Sequence, residues 1–202
     1  MSKSKKKKDT KGRYPRNVAV GDMEITVRRM KPVDEARVAE FANRLPRHDL
    51  LFLRRDITEP KVLSAWVKEL EDGWISSLVA ERDGNMLGVS AVVRDEHSWS
   101  PHVGELRVLL SAEARGSGIG RLLIQESFLL ALSLGLEKLT AQMTADQQAA
   151  IAVFQGMGFR TEALLRDHVR DSDRLKHDIV ILSHDVAEFQ AKMEQYGLTE
   201  AF

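Results

Sequence analysis

The chain has 202 residues, of which 43% are hydrophobic and 30% charged, with 30 Lys and Arg against 30 Asp and Glu and no cysteine. This is the composition of one ordinary globular domain. It excludes a disulfide framework, a thiolate zinc site and a cysteine nucleophile. The longest apolar run, Phe128–Leu136, is broken by Ser133 and Gly135 and falls short of the ~18–20 residues that cross a bilayer. The basic N-terminus has no apolar stretch behind it, as a secretory signal would, so a cytoplasmic location is expected.

The zero net charge hides an asymmetry. Lys3, Lys5, Lys6, Lys7, Lys8, Lys11, Arg13 and Arg16 face only Asp9 within the first 16 residues, a tail of about +7 against about −7 for the remainder. Such a run repels itself and buries no apolar area, so residues 1–20 read as a disordered basic tail. It serves either solubility or contact with nucleic acid and other acidic surfaces.

From Met23 the pattern turns globular. Met23–Met30 alternates apolar and polar residues as a half-buried strand does, and Val33–Phe41 has helical spacing. Leu45–Ile57 is irregular. Thr58-Glu-Pro60 opens a helix with Val62, Leu63, Trp66, Val67 and Leu70 on one face, stopped by Gly73. A hairpin follows, Ile75–Glu81 and Met86–Arg94 around Asp83-Gly-Asn85, then a strand at His102–Leu110. The remaining elements are a helix at Gly118–Leu134, a strand at Lys138–Met143, a helix at Gln147–Met157 and a strand at Phe159–Leu165. After the charged turn Arg166–Arg174 come a strand at Lys176–Ser183 and a terminal helix at about Val186–Tyr196. The order β α α β β β α β α β β specifies an α/β architecture with one mixed sheet. Residues 21–185 form the domain, and 186–202 a C-terminal helix and tail.

The informative stretch runs from Leu106 to Leu123: an apolar strand, a short turn, then Arg115-Gly-Ser-Gly-Ile-Gly-Arg121 opening a helix. Glycines there let the backbone approach a ligand closely and take positive φ. The first helix amides have no intrahelical partner, and with the helix dipole they form an anion site suited to a pyrophosphate. Arg115 and Arg121 add charge at its edges. The spacing is neither the dinucleotide G-x-G-x-x-G nor a P-loop.

This stretch resembles the GNAT superfamily of acetyl-CoA-dependent N-acyltransferases, whose R/Q-x-x-G-x-G/A is matched by Arg115, Gly118 and Gly120. A second block, Gln147 to Phe159, is similar to the family's N-x-x-A-x-x-x-Y-x-x-x-G-F. The resemblance implies a GNAT fold, with a central, mixed, splayed β-sheet flanked by helices, and acetyl-CoA as cosubstrate with no metal. It implies that Val108, Leu109 and Leu110 pair with pantetheine through their backbone, with the Leu110 amide as oxyanion donor. The amides of Arg115, Gly116, Ser117, Gly118, Ile119, Gly120 and Arg121 would cradle the pyrophosphate, with Gln147, Ala150 and Phe154 completing the cofactor site. An amine of a small molecule or protein would attack the thioester directly, with a base for the ammonium and an acid for the thiolate.

Two positions depart from the pattern. Gln147 stands for the family's asparagine, and Phe154 for the tyrosine proposed as thiolate acid; phenylalanine has no proton to give. The alternative reading is therefore a CoA-binding module with little or no catalysis. Glu105 is the candidate general base, or else a structural carboxylate paired with Arg107; His102 is a titratable alternative. His168, Asp171, Asp173, His177 and Asp178 crowd one turn at no recognisable zinc spacing, so no metal is expected. Arg54, Arg55 and Asp56 either select the acceptor or are surface charge. A homodimer through sheet edges or terminal helices is a further expectation.

Overall fold

In the computed structural model, which describes residues 12–95 and 97–186, the first strand lies inside the basic segment expected to be disordered. β1 (Arg16–Val20) pairs antiparallel with β2 (Met23–Arg29). Its anchor is Glu126, a buried carboxylate on helix α3 (Ile119–Ser133). Both guanidinium nitrogens that Arg13 turns toward it donate at 3.0 Å, the Tyr14 hydroxyl donates at 2.9 Å, and Arg16 donates at 2.9 Å. Four hydrogen bonds from three residues to one buried acid compensate its desolvation. The expected tail of residues 1–20 is thus corrected: residues 12–20 belong to the domain, because their basic side chains have a buried partner that composition does not reveal. The expected terminal helix from Val186 to Tyr196 lies outside the described residues beyond Val186.

The elements then follow in the expected order with small shifts. They are α1 (Glu35–Arg44), α2 (Pro60–Glu71), β3 (Ile75–Arg82), β4 (Asn85–Val93), β5 (Val103–Leu110), α3, β6 (Lys138–Thr144), α4 (Gln148–Gly156), β7 (Arg160–Arg170) and β8 (Lys176–Asp185). Thr58 does not cap α2. Its hydroxyl donates instead to Asp56, at 2.6 Å, and Pro60 takes the first helical position. The charged segment Arg166–Arg174 is largely strand and not turn. β7 continues to Arg170 through a bulge at which Asp167 takes φ 53° and its amide donates to Asp178 at 2.8 Å. Among the described residues, no helix is long and apolar enough to cross a membrane.

The eight strands form one mixed sheet in the order β1-β2-β3-β4-β5-β6-β8-β7. Helices α3 and α4 cover one face over a core including Leu106, Leu123, Phe128 and Phe154. Helices α1 and α2 cover the other, over Phe41, Leu63, Val89 and Leu109. The pairing β5–β6 is the parallel one beside antiparallel neighbours, and it is short: Val103, Gly104 and Glu105 oppose Lys138, Leu139 and Thr140, and beyond them the strands part. β5 stays paired to β4 up to Leu110. A fork therefore opens in the middle of the sheet.

A charge cluster fixes the start of α1 against β2 and β3. Arg28 donates to both oxygens of buried Asp34 at 2.8 Å and to Glu81 at 2.8 and 3.1 Å, and Arg37 reaches Glu81 at 2.8 Å. Burial pushes the Asp34 carboxyl up. The hydrogen bonds from Arg28 and the Lys31 amide outweigh it and leave the group below its ordinary range. Glu81 is likewise held low, by Arg28 first, against burial and with help from Arg37. A carboxyl whose folded pKa is depressed adds stability that is complete above its unfolded pKa, about 4, and is lost as pH falls through the folded value. Urea unfolding of Asp34→Asn should show a loss of about 2–3 kcal/mol at pH 7. The difference from wild type should narrow steadily below about pH 4; a pH-independent difference would contradict the assignment.

Candidate active site

Backbone direction along β5 decides which groups a ligand in the fork can meet. The Ser111 amide donates to the Leu87 carbonyl at 2.9 Å, and the His102 carbonyl accepts from Lys138 at 3.2 Å. Alternation between these two fixed points turns the N–H and C=O of Glu105, Arg107 and Leu109 toward β4, and those of Leu106, Val108 and Leu110 toward the fork. Past Glu105 no strand pairs with that edge among the described residues. Val108 and Leu110 thus stand where an added strand would bond. Leu109, expected with them, is corrected: its backbone serves β4, opposite Val89, and its side chain is buried in the core on the α1–α2 face.

The glycine loop leaves the end of this strand. A short helical turn, Ala112–Ala114, leads to Arg115, and Gly116 and Gly118 then take φ of 71° and 98°. Ser117 ties the turn, its hydroxyl donating to the Ala114 carbonyl at 2.6 Å and accepting from the Ile119 amide at 3.3 Å. The first intrahelical bond of α3 is Leu122 N–H to Gly118 C=O, so the Gly120 and Arg121 amides precede the ladder and project from the helix start. Gly120 also sets how close α3 comes to β5: a Cβ there would lie 2.9 Å from Leu110 Cδ1. Arg121 is exposed at this corner. Arg115 is instead ion-paired with Asp49 on the helical turn Arg47–Leu50 between α1 and α2.

The other arm of the fork ends in the same way. β6 closes at Thr144, and the half-buried Gln147 precedes α4, its amide donating to the Thr144 carbonyl at 3.0 Å. Ala150 packs against the α3–α4 core. Phe154 is buried there, its ring edge-on to Phe159 with centroids 4.9 Å apart. The sequence block from Gln147 to Phe154 therefore follows the end of β6, the other arm of the fork.

On the α1–α2 face, Glu105 and Arg107 project together, two residues apart on one strand. Arg107 holds both carboxylate oxygens of Glu105 at 2.8 and 3.1 Å, and Arg54 lies 3.8 Å away. The Glu105–Arg107 pair that the sequence raised is thus present, and it holds the carboxylate in a fixed orientation. His102 is exposed ahead of β5. A cavity of about 440 Å³ opens beside Arg107, lined among others by Arg54, Arg55, Trp66, Trp74 and Arg94. A narrow extension continues from it past Arg107 to Leu109. Of the three residues read as acceptor-selecting or surface, Arg54 and Arg55 line this cavity, while Asp56 binds Arg47 and Thr58 outside it.

One constellation escapes sequence reading altogether. The turn carrying Asp49 also carries His48, whose Nε2 lies 2.8 Å from Asp146 and 3.4 Å from the Thr144 hydroxyl. His177 of β8 packs edge-on at 5.0 Å between ring centroids and pairs with Asp171 at 2.8 Å. Burial opposes ionisation of Asp146, but hydrogen bonds from Thr144 and His48 hold its carboxyl below the ordinary range. His48, Asp146 and His177 offer ligand atoms within 4.8 Å of one another, a set of two imidazoles and a carboxylate that suits a transition metal. The cluster read as a mere charged turn thus supplies His177 and Asp171, joined by two residues distant in sequence. Because Asp49 reaches the loop after β5 while His48 reaches the end of β6, this turn spans the mouth of the fork.

Comparison with known proteins gives a consistent result. The family model described as acetyltransferase (GNAT) family matches residues 40–159. No curated protein matches the chain. Among solved structures, ribosomal-protein-alanine N-acetyltransferase from Brucella melitensis is similar at 24% identity and TM-score 0.69, over 79% of this chain and 98% of that one. The protein yncA of Salmonella typhimurium, solved with its cofactor acetyl-CoA, is similar at 19% identity and TM-score 0.71, over 81% and 95%. Spermidine N-acetyltransferase from Vibrio cholerae, in complex with CoA and spermine, stands at 18% and 0.69, over 82% and 98%. At these identities the likeness is one of fold.

The glycine geometry makes a paired prediction. Gly118→Ala forces a Cβ into the left-handed region, 3.2 Å from Val20 Cγ1, and should cost about 1–2 kcal/mol in chemical denaturation. Gly156→Ala, in the last turn of α4 with open space around it, should stabilise by about 0.5–1 kcal/mol. Equal effects would mean that the loop conformation is not held as described.

Proposed function

The chain belongs to the GNAT family of acetyltransferases, and from that premise we propose that it moves an acetyl group from acetyl-CoA to a primary amine of a small molecule or protein. The observation that carries the reading is the open edge of β5 running into the glycine loop. Val108 and Leu110 turn backbone groups that no strand pairs toward the fork, and these suit the amides of pantetheine as a short added strand. The amides at the start of α3 suit the pyrophosphate. On this reading Arg115, through its pair with Asp49, fixes the loop against the α1–α2 turn and leaves phosphate contact to the amides and Arg121.

The chemistry is acyl transfer without a covalent enzyme intermediate. The amine lone pair adds to the thioester carbonyl carbon, the oxygen takes negative charge, and the C–S bond then breaks to release CoA thiolate and the amide. On this reading the Leu110 amide, which the alternation along β5 turns toward the fork, donates to that oxygen. The ammonium proton must leave before attack. Glu105 is assigned this task, with Arg107 fixing its carboxylate on the side from which the cavity opens. Donor and acceptor then reach the reacting carbon from opposite faces of the sheet, through the fork.

Phe154 favours a second reading, a CoA-binding module with little catalysis. Its buried ring offers no proton to the thiolate, and loss of a general acid costs roughly 10²–10⁴ in rate. One measurement tests what the two readings share, and a second separates them. Acetyl-CoA at about 100 Kd should stabilise the protein by about 2.7 kcal/mol under either. Thiol release over a panel of amines should occur only under the first, with Glu105→Gln lowering kcat about 10²-fold and removing the acidic limb of the pH profile. An unchanged pH profile would remove Glu105 from its role, and no stabilisation by acetyl-CoA would remove the proposal itself.

A further inference from the structure

The cavity on the α1–α2 face has a chemical bias that neither the fold nor the glycine loop dictates. Its described lining includes four arginines, Arg54, Arg55, Arg94 and Arg107, against two acids, Glu69 and Asp95. These cations are not equally available. Arg107 is committed to Glu105 through two hydrogen bonds, and Arg94 donates to the Gly73 carbonyl at 2.6 Å. Arg54 only approaches Glu105, at 3.8 Å, where Arg107 already occupies both oxygens. Arg55 has no hydrogen bond or ion pair among the described residues.

Two adjacent guanidinium groups are thus left at the rim of a cavity of about 440 Å³, within the range of small-molecule sites. Its walls add aromatic surface, Trp66 with its indole N–H bonded to Ser77 at 3.2 Å and Trp74. Guanidinium forks match carboxylate and phosphate oxygens in shape as well as charge. Like charges facing each other in a partly desolvated cleft are repelled. A polyamine would bring its ammonium groups against these arginines.

We propose that the acceptor is a small amine that also carries an anionic group, a carboxylate or a phosphate, received by Arg54 and Arg55. This rests on the acetyltransferase reading for the word acceptor, but the binding site stands on the cavity alone. The anionic end lies at the rim and the amine end toward Arg107, Glu105 and the narrow extension to Leu109. That orientation directs the nucleophile at the strand whose other edge forms the fork.

The test is calorimetric titration of the full chain, with and without saturating CoA. The ligands are 4-aminobutyrate, glutamate and O-phosphoethanolamine against butylamine, putrescine and spermidine. The amines that carry an anionic group should bind at least about tenfold more tightly than the purely cationic butylamine, putrescine and spermidine, the worth of one charge-assisted hydrogen-bond pair. The double variant Arg54→Glu, Arg55→Glu should abolish or invert that preference while leaving CoA affinity unchanged. Carboxylate and phosphate members distinguish the two anion types. Equal or tighter binding of putrescine or spermidine, a preference that survives the double charge reversal, or no binding of any anionic amine would each overturn the proposal. Selective anion binding without thiol release from acetyl-CoA would instead strike the transferase reading and leave this one standing.

Discussion

A strand in the middle of a sheet that keeps only one partner is the constraint on which this molecule turns. β5 is bonded to β4 from Glu105 to Leu110, but its pairing with β6 ends at the Glu105–Thr140 pair, whose last bond takes the Leu106 amide, so the backbone groups of Val108 and Leu110 face a gap. Backbone N–H and C=O groups inside a protein are almost always paired, and unpaired ones are costly. A fold that keeps such an edge must hold the two strands apart by other means. It does so with rigid elements: α3 packs on β5 through the contact of Gly120 with Leu110, and α4 begins beside the end of β6.

Charge supplies much of the remaining rigidity, and it does so in buried or half-buried clusters where pairs are worth more than on the surface. Glu126 on α3 gathers Arg13, Tyr14 and Arg16, tying β1 beneath the glycine loop, where Val20 meets Gly118. Asp34 and Glu81 gather Arg28 and Arg37, fixing the start of α1 against β2 and β3. The turn after α1 then carries Asp49 to Arg115 and His48 to Asp146. Of these, the Glu126 cluster and the two pairs of the turn after α1 act on elements that bound the fork.

Much of this was legible from the residues. Glycine spacing between an apolar strand and an amphipathic helix located the turn that opens α3, and the second block located α4. Alternation along His102–Leu110 already raised the Glu105–Arg107 pair, because residues two apart share a face of a strand. What escaped was what depends on register or on distant partners. Leu109 could not be told from Val108 and Leu110 until the pairing with β4 fixed which amides face which way. β1 was hidden because Arg13 and Arg16 look like part of a solvated tail unless Glu126 is known to be buried. His48, Asp146 and His177 come from three separate elements, and no spacing joins them. The strand character of Arg166–Arg170 was masked by its charges, which an edge strand exposes at little cost.

The central claim is that alternate amides of β5 wait for a ligand, and amide hydrogen exchange measures that residue by residue. Without cofactor, Val108 and Leu110 should exchange fast while Glu105, Arg107 and Leu109, bonded to β4, exchange slowly. Saturating CoA should protect Val108 and Leu110 by at least about tenfold and leave the odd-numbered set unchanged. Uniform protection along β5 in the free protein, or no change at Val108 and Leu110 on adding CoA, would contradict the account.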